Sequence, residues 1–216
     1  MAADAAGRAW PATLRTSLRD GGVLTVRALE RSDAKAWHAA RQRSAAWLHP
    51  WDATVPPGAA ARPTTFRALV ARLHRAAKAG TTYPFAIEVD GQFAGQVTVN
   101  NIVRGSAQFA SIGYWIDRSY AGRGAVPRAV AMVIDHCFTA AGLHRIEVCI
   151  RPENSNSLRV VEKLGIQEIG YAPRFLHIDG AWRDHRLYAI TVEECPDGLL
   201  ARLLAAEGSA GSAEAG

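Results

Sequence analysis

Hydrophobic and polar positions change period several times along this chain, and each change marks an element. Val23–Leu29 alternates apolar and polar residues and predicts a strand, because successive side chains of an extended backbone face opposite sides. Asp33–Leu48 carries Trp37, Ala40, Ser44 and Trp47 at helical spacing. A proline-rich stretch, HPWDATVPPGAAARP, breaks the pattern, and Thr65–Lys78 resumes it with Phe66, Leu69, Val70 and Leu73 on one face. From Phe85 the period is two: Phe85, Ile87 and Val89 alternate with Ala86, Glu88 and Asp90, and Asp90-Gly91 offers a tight turn into a return strand at Phe93–Asn100. Gln108–Asp117 predicts a third neighbour. Gly124–Ala141 is the longest apolar helix, Arg145–Arg151 an apolar strand, and Asn154–Leu164 a helix stopped by Gly165. Ile166–Ile178 and Trp182–Val192 predict strands joined at Asp179-Gly180, and Pro196–Ala206 a short closing helix.

Hairpins imply antiparallel neighbours. The helix between Gln108–Asp117 and Arg145–Arg151 makes a crossover instead, and implies a parallel pair there. The expected architecture is one mixed α/β domain over residues 21–206, with a flexible arm at 1–20 and a disordered tail at 207–216, where small and polar residues bury little surface. The 216 residues suit a single domain. A formal charge of +5 is too mild for a dedicated nucleic-acid binder, so no direct nucleic-acid recognition is expected. No apolar run approaches the ~20 residues that span a bilayer, and the first residues lack the apolar core of a secretory signal. Three scattered cysteines without a C-x-x-C pair suggest neither a disulfide framework nor a cysteine-built zinc site, and the seven histidines show no ligand spacing. A cytoplasmic protein with no membrane partner and no metal is expected.

Three segments carry candidate chemistry. Ser119–Val126 (SYAGRGAV) lies between a strand end and a helix start. Its glycines let several N–H groups converge, the helix N-terminus adds partial positive charge, and Arg123 and Arg128 add whole charges, as a pyrophosphate site requires. A plain strand-to-helix turn explains the glycines equally well. Walker A chemistry does not fit, since Ala125-Val126 follows Gly124; nor does a Rossmann fingerprint, since Pro127 takes the third glycine's place. In the second segment, Arg151–Gly165, Asn154 or Ser155 would cap the helix and the hydroxyl of Ser157 could donate a proton to a leaving group. The third, Arg174–His185, reads as a decorated hairpin. Asp184 and His185 are adjacent, so they face opposite ways and do not form an acid–base pair with each other.

In this order and spacing, the GRGAV loop after YWID, the NSNSLRVVEKLG run and the IDGAWRDH hairpin resemble the Gcn5-related N-acetyltransferase (GNAT) superfamily. Within it the chain resembles the RimJ/RimL-like ribosomal-protein N-acetyltransferases, from about Val23 to Val192. Trp47-Leu-His-Pro-Trp51 also looks like that group's first-helix exit. The resemblance implies a mostly antiparallel, twisted sheet splayed at a central parallel pair, with acetyl-CoA as co-substrate. The pantetheine arm would lie between Gln108–Asp117 and Arg145–Arg151, its amides paired with the backbone of Tyr114 and Ile116. The pyrophosphate would sit on Ala121, Gly122, Arg123, Gly124, Ala125 and Val126, although Ala121 and Val126 depart from the family's usual Gln/Arg and Gly/Ala.

Asn154 would hydrogen-bond the arm, and Ser157 would lie near the thioester sulfur as the acid. Glu147, through a water, leads as base, with His185 and His177 behind it; Leu176 stands where some relatives place a carboxylate. Trp51, Arg174, Trp182, Asp184 and His185 are candidate acceptor residues. The implied function is acetyl transfer to the N-terminal α-amine of a protein, ribosomal in type, by direct attack in a ternary complex. The alternatives are transfer to a small amine such as an antibiotic or polyamine, a non-catalytic acyl-CoA-binding module, and a ribosome-associated binding protein suggested by the excess of arginine over lysine, 22 to 3. Oligomeric state is open.

Overall fold

Asp90 and Gly91 both adopt positive φ (52° and 75°), the backbone that a two-residue hairpin needs, and they join strand β3 (Tyr83–Val89) to β4 (Gln92–Val103). In the computed structural model, which describes residues 9–60 and 65–213, these strands sit near the middle of one eight-stranded sheet. The others are β1 (Thr13–Ser17), β2 (Val23–Ala28), β5 (Phe109–Ile116), β6 (Arg145–Ile150), β7 (Gln167–Ile178) and β8 (Ala181–Thr191). Their order is β1-β2-β3-β4-β5-β6-β8-β7, and every neighbouring pair is antiparallel except β5 and β6.

The helices are α1 (Ala34–Arg43), α2 (Ala45–Leu48), α3 (Phe66–Lys78), α4 (Ala125–Thr139), α5 (Ser155–Lys163) and α6 (Leu199–Ala213). The apolar run in α4 explains its place. Val130, Val133, Ile134 and Cys137 are fully buried in the main core, where each large aliphatic side chain stabilises by about 1.5–3 kcal/mol. A smaller core on the sheet's other face joins Ala40 of α1 and Phe66 and Val70 of α3 to Ala86 and Phe93. The sheet is therefore covered on both faces.

Two details differ from the expectations, and a third goes beyond them. The arm expected to be flexible contains β1, paired with β2 from Thr13↔Arg27 to Ser17↔Val23. A turn closed by Leu18 N–H to Gly22 C=O (2.7 Å) forms that hairpin, and Trp10 anchors its start by donating Nε1–H to Pro84 C=O (3.1 Å). The tail expected to be disordered continues α6 to Ala213, with Glu207 paired to the buried Arg128. Residues 1–8 and 214–216 lie outside the described residues. Finally, β7 is the edge strand and β8 inserts between it and β6, an order that hairpin patterning does not specify.

Candidate active site

Only the first part of the parallel pair is hydrogen-bonded: Phe109↔Arg145, Ala110↔Ile146 and Ser111↔Glu147. Beyond Ser111 the strands diverge. Ile112–Ile116 stays on β4, and Val148–Ile150 stays on β8. On β5, Asp117 N–H donates to Ala94 C=O of the β4 side (2.7 Å). Because backbone direction alternates along a strand, the N–H and C=O of Tyr114 and Ile116 face the other way, into the splay. That leaves a sheet edge with unpaired backbone groups, able to take an extended amide-bearing chain. A cavity of ≈ 230 Å³ occupies the splay, with Tyr114, Cys149, Arg151, Ser157, Leu176 and His185 among its walls.

The glycine loop opens at the same strand's end. Gly122 and Gly124 have φ of 83° and 76°, and α4 begins at Ala125 with no side-chain cap. Among the described residues, the N–H groups of Gly122 to Val126 have no acceptor. Five unpaired N–H groups at the positive end of a long helix fit a pyrophosphate. Beside them lies a cavity of ≈ 200 Å³ walled by Ala121, Gly122, Gly124, Val126, Arg159 and Lys163.

The expected charges there are already engaged. Arg123 pairs with Asp20 (2.7 Å) and Asp90 (3.4 Å), and Arg128 pairs with Glu207. The cations that line the loop's cavity are instead Arg159 and Lys163, one turn apart on α5. Their i, i+4 spacing was the readable signal.

At the start of α5, Asn154 Oδ1 accepts from Ser157 N–H (3.1 Å), so Asn154 is the cap. The Ser157 side chain hydrogen-bonds with that of Tyr114, and both residues line two adjoining cavities. Tyr114 donates its O–H to Ser157 C=O (3.3 Å), and burial pushes its pKa up, keeping it a neutral donor. Cys149 lines the splay with its thiol pushed up to about 11 by burial and by the nearby Glu147.

His185 is 3% exposed and belongs to the same cavity. Its Nδ1 lies 3.0 Å from Arg183 C=O, and a carbonyl only accepts, so Nδ1 carries the proton and Nε2 is the free acceptor. Burial lowers its pKa from 6.5, which keeps the ring neutral at physiological pH.

The remaining expected residues disperse. Glu147 is the last paired residue of β6, where the splay begins; Arg145 Nε holds it at 2.8 Å, and it borders none of these cavities. Trp51 lines two cavities beneath the Arg151 guanidinium, 5.3 Å from its ring centre. Asp184 braces a bulge in β7, accepting from Tyr171 O–H (2.6 Å) and Arg174 N–H (2.7 Å); Arg174 takes φ of 49° there. Trp182 is 53% exposed and packs edge-on against His177. Arg174, Trp182 and Asp184 lie outside the cavity walls.

A cavity of ≈ 660 Å³ runs over the opposite face of the sheet and meets the splay at Gly113 and Tyr114. Its floor includes Gln96, Thr98 and Asn100, alternate residues of β4 that share one face. Trp37 and Arg41 of α1, Leu69, Arg72 and Leu73 of α3, and Trp115 form its sides. Hydrophobic periodicity assigned several of these residues to helix faces without showing that they converge.

Asp117 ties the site together. It is buried and accepts from Arg43 Nη2 (2.6 Å), Ser44 Oγ (2.9 Å) and Ser119 N–H (3.1 Å). Burial alone would raise its pKa; Arg43 and the other donors outweigh that, and it falls below 3.8. Asp117→Asn should cost about 1.5–3 kcal/mol at neutral pH. A carboxyl depressed on folding stabilises fully above its unfolded pKa and loses that contribution as pH falls through the folded one. Melts of both proteins taken downward through pH 3.8 should show the gap narrowing.

The chain's residues 24–167 match the family model described as Acetyltransferase (GNAT) domain. A probable N-acetyltransferase, YjcK of Bacillus subtilis, is 41% identical over 101 residues, covering 47% of this chain and 56% of its own length. The [ribosomal protein uS5]-alanine N-acetyltransferase of Escherichia coli is 29% identical over 154 residues, 70% of this chain and 79% of that one. Mycobacterium smegmatis RimJ in complex with CoA-disulfide superposes with a TM-score of 0.85 at 40% identity, over 92% of this chain and 96% of that one. The splayed parallel pair, the free N–H groups of the glycine loop and these likenesses agree: the chain belongs to the GNAT acetyltransferase family, in its RimJ/RimL-like group, an enzyme class that transfers acetyl from acetyl-CoA to an amine.

Proposed function

We propose that this protein acetylates the α-amine of a protein N-terminus, ribosomal in type, by direct attack in a ternary complex. The observation that carries this reading is the long groove on the face opposite α4, which reaches the splay at Gly113 and Tyr114. A polar stripe along β4 facing tryptophan and leucine walls suits an extended peptide, whose backbone needs hydrogen-bond partners along its length. The kinship to a uS5-alanine N-acetyltransferase supports a ribosomal substrate.

Gly122 to Val126 would hold the pyrophosphate of acetyl-CoA, Tyr114 and Ile116 the amides of its arm, and Asn154 the arm through its free Nδ2. When bound, it supplies an activated acyl group as a thioester. In the step itself the amine nitrogen bonds to the acyl carbon and the carbon–sulfur bond breaks. His185 Nε2 takes the proton that the amine loses. Ser157 Oγ–H donates towards the sulfur and is reprotonated from solvent. Glu147, engaged by Arg145, is replaced here by His185 as the base. Cys149 is an unsuitable nucleophile, since a thiol with a pKa of about 11 is almost wholly protonated at pH 7.

Ser157→Ala should lower kcat about tenfold to a hundredfold, or about 1.4–2.8 kcal/mol in the transition state, with little change in acetyl-CoA affinity. Because Asn154 supplies the cap, the melting temperature should hardly move. Wild-type kcat in this variant would remove Ser157 from the chemistry. The function itself is tested with peptides beginning with Ala or Ser, assayed beside the same peptides blocked at the α-amine and beside spermidine. Turnover is expected only with the free α-amine; equal turnover of blocked peptides or preference for spermidine would overturn the reading.

A further inference from the structure

The acceptor groove is lined by more positive than negative free charge. Its one carboxylate among the described wall residues, Asp52, is already paired with Arg41. Arg41 is further fixed over the rings of Trp37 and Trp115, 5.7 Å and 5.3 Å from their centres. His49 turns to Asp179 at 3.4 Å. That leaves Arg72, exposed on α3, with neither an ion pair nor a hydrogen bond among the described residues. Leu69, Arg72 and Leu73 share one helix face at i, i+3 and i+4, so the guanidinium stands beside the apolar wall that an acceptor would run along.

A polycationic acceptor entering here would meet Arg72 and no free carboxylate. A carboxylate-bearing acceptor would meet a guanidinium whose planar fork matches it in two hydrogen bonds. We propose that the groove selects N-terminal peptides with acidic residues just behind the reacting amine, and that Arg72 is the specificity-determining residue. This rests on the reading of the protein as an N-terminal acetyltransferase and narrows its substrate class.

The test uses the full chain, acetyl-CoA and two decapeptides with the same first residue, one carrying Asp and Glu at its second to fourth positions and the other Lys. The acidic peptide should have the higher kcat/KM by about tenfold. The difference should lie in KM and shrink as salt rises, as expected for a charge contact at an exposed side chain. Arg72→Gln should collapse the preference and Arg72→Glu should invert it. Both changes are at an exposed helix position, so melting temperatures near wild type should accompany them. Equal kcat/KM for the two peptides, or a preference unchanged in Arg72→Glu, overturns the inference while the peptide activity itself stands. Failure to acetylate either peptide alongside acetylation of spermidine overturns the N-terminal reading, and this inference with it.

Discussion

Gly124→Val should weaken CoA binding by a hundredfold or more, about 2.7 kcal/mol, in a protein that still folds. Two independent effects act at this position. The φ of 76° is a region that β-branched residues avoid, and a Cβ there would stand 2.7 Å from Arg128 Nη1. Arg128 cannot swing away easily, because it is buried and paired with Glu207. The loop must therefore shift, and its unpaired N–H groups lose their common aim. Gly122→Ala makes the comparison, since a Cβ at Gly122 meets nothing within 4 Å, though its φ of 83° remains costly. It should bind CoA more weakly than wild type and more tightly than Gly124→Val. Calorimetric titration with CoA, paired with thermal melts, measures both; unchanged affinity in folded Gly124→Val would mean that the pyrophosphate lies elsewhere.

His185→Gln should lower kcat by about a hundredfold to a thousandfold, within the range that a positioned base contributes. Glutamine can keep a donor towards Arg183 C=O but has no basic nitrogen. The pH profile separates loss of the base from loss of shape. The acceptor α-amine, with a pKa near ~8, gives a limb that both proteins share. The wild type should show a second fall at lower pH, below the ordinary imidazole value of 6.5, because burial depresses the His185 pKa. Protonation there removes the acceptor nitrogen, so activity is lost as pH falls through that value. A profile in which His185→Gln keeps the second limb would assign it to another group.

Local chemistry in this chain was legible; partnership across distance was not. The Asp90-Gly91 turn, the capped start of α5 and the glycine loop all depend on residues within a few positions of each other, and periodicity with turn chemistry finds them. Arg123 and Arg128 read as free charges because their partners are remote: Asp20 is 103 positions from Arg123, and Glu207 is 79 from Arg128. Glu147 stood as base through the family resemblance; its partner Arg145 is two positions away on the same strand face, a local pairing that alternation along β6 already offered. His185 and Asp184 were separated correctly by alternation along β8. Which of the two faces the cavity depends on β8 lying between β6 and β7, an order that hairpin signals do not encode.

The acceptor groove was the least visible part, for a related reason. Trp37, Arg72, Thr98 and Trp115 come from four separate elements, and each has a sufficient role as a helix-face or strand-face residue. The terminal elements were hidden by composition. Thr13–Ser17 is polar and short, and it is ordered by pairing with β2 and by the anchored Trp10 upstream. The end of α6 is rich in Ala, Gly and Ser, and Asp135 fixes its start by accepting from Leu199 and Leu200 N–H at 2.6 Å and 3.0 Å.

The central claim is that a peptide α-amine reaches the splay from the groove side and leaves acetylated. Intact-mass analysis of all ribosomal proteins, from cells with and without this protein, tests it most directly when fragmentation locates each difference. The account predicts that at least one ribosomal protein loses a single acetyl group in the absence of this enzyme, mapped to its N-terminal nitrogen. Purified enzyme with acetyl-CoA should restore the group at that nitrogen. Unchanged masses across the whole set, with acetylation of a small amine lost instead, would contradict it.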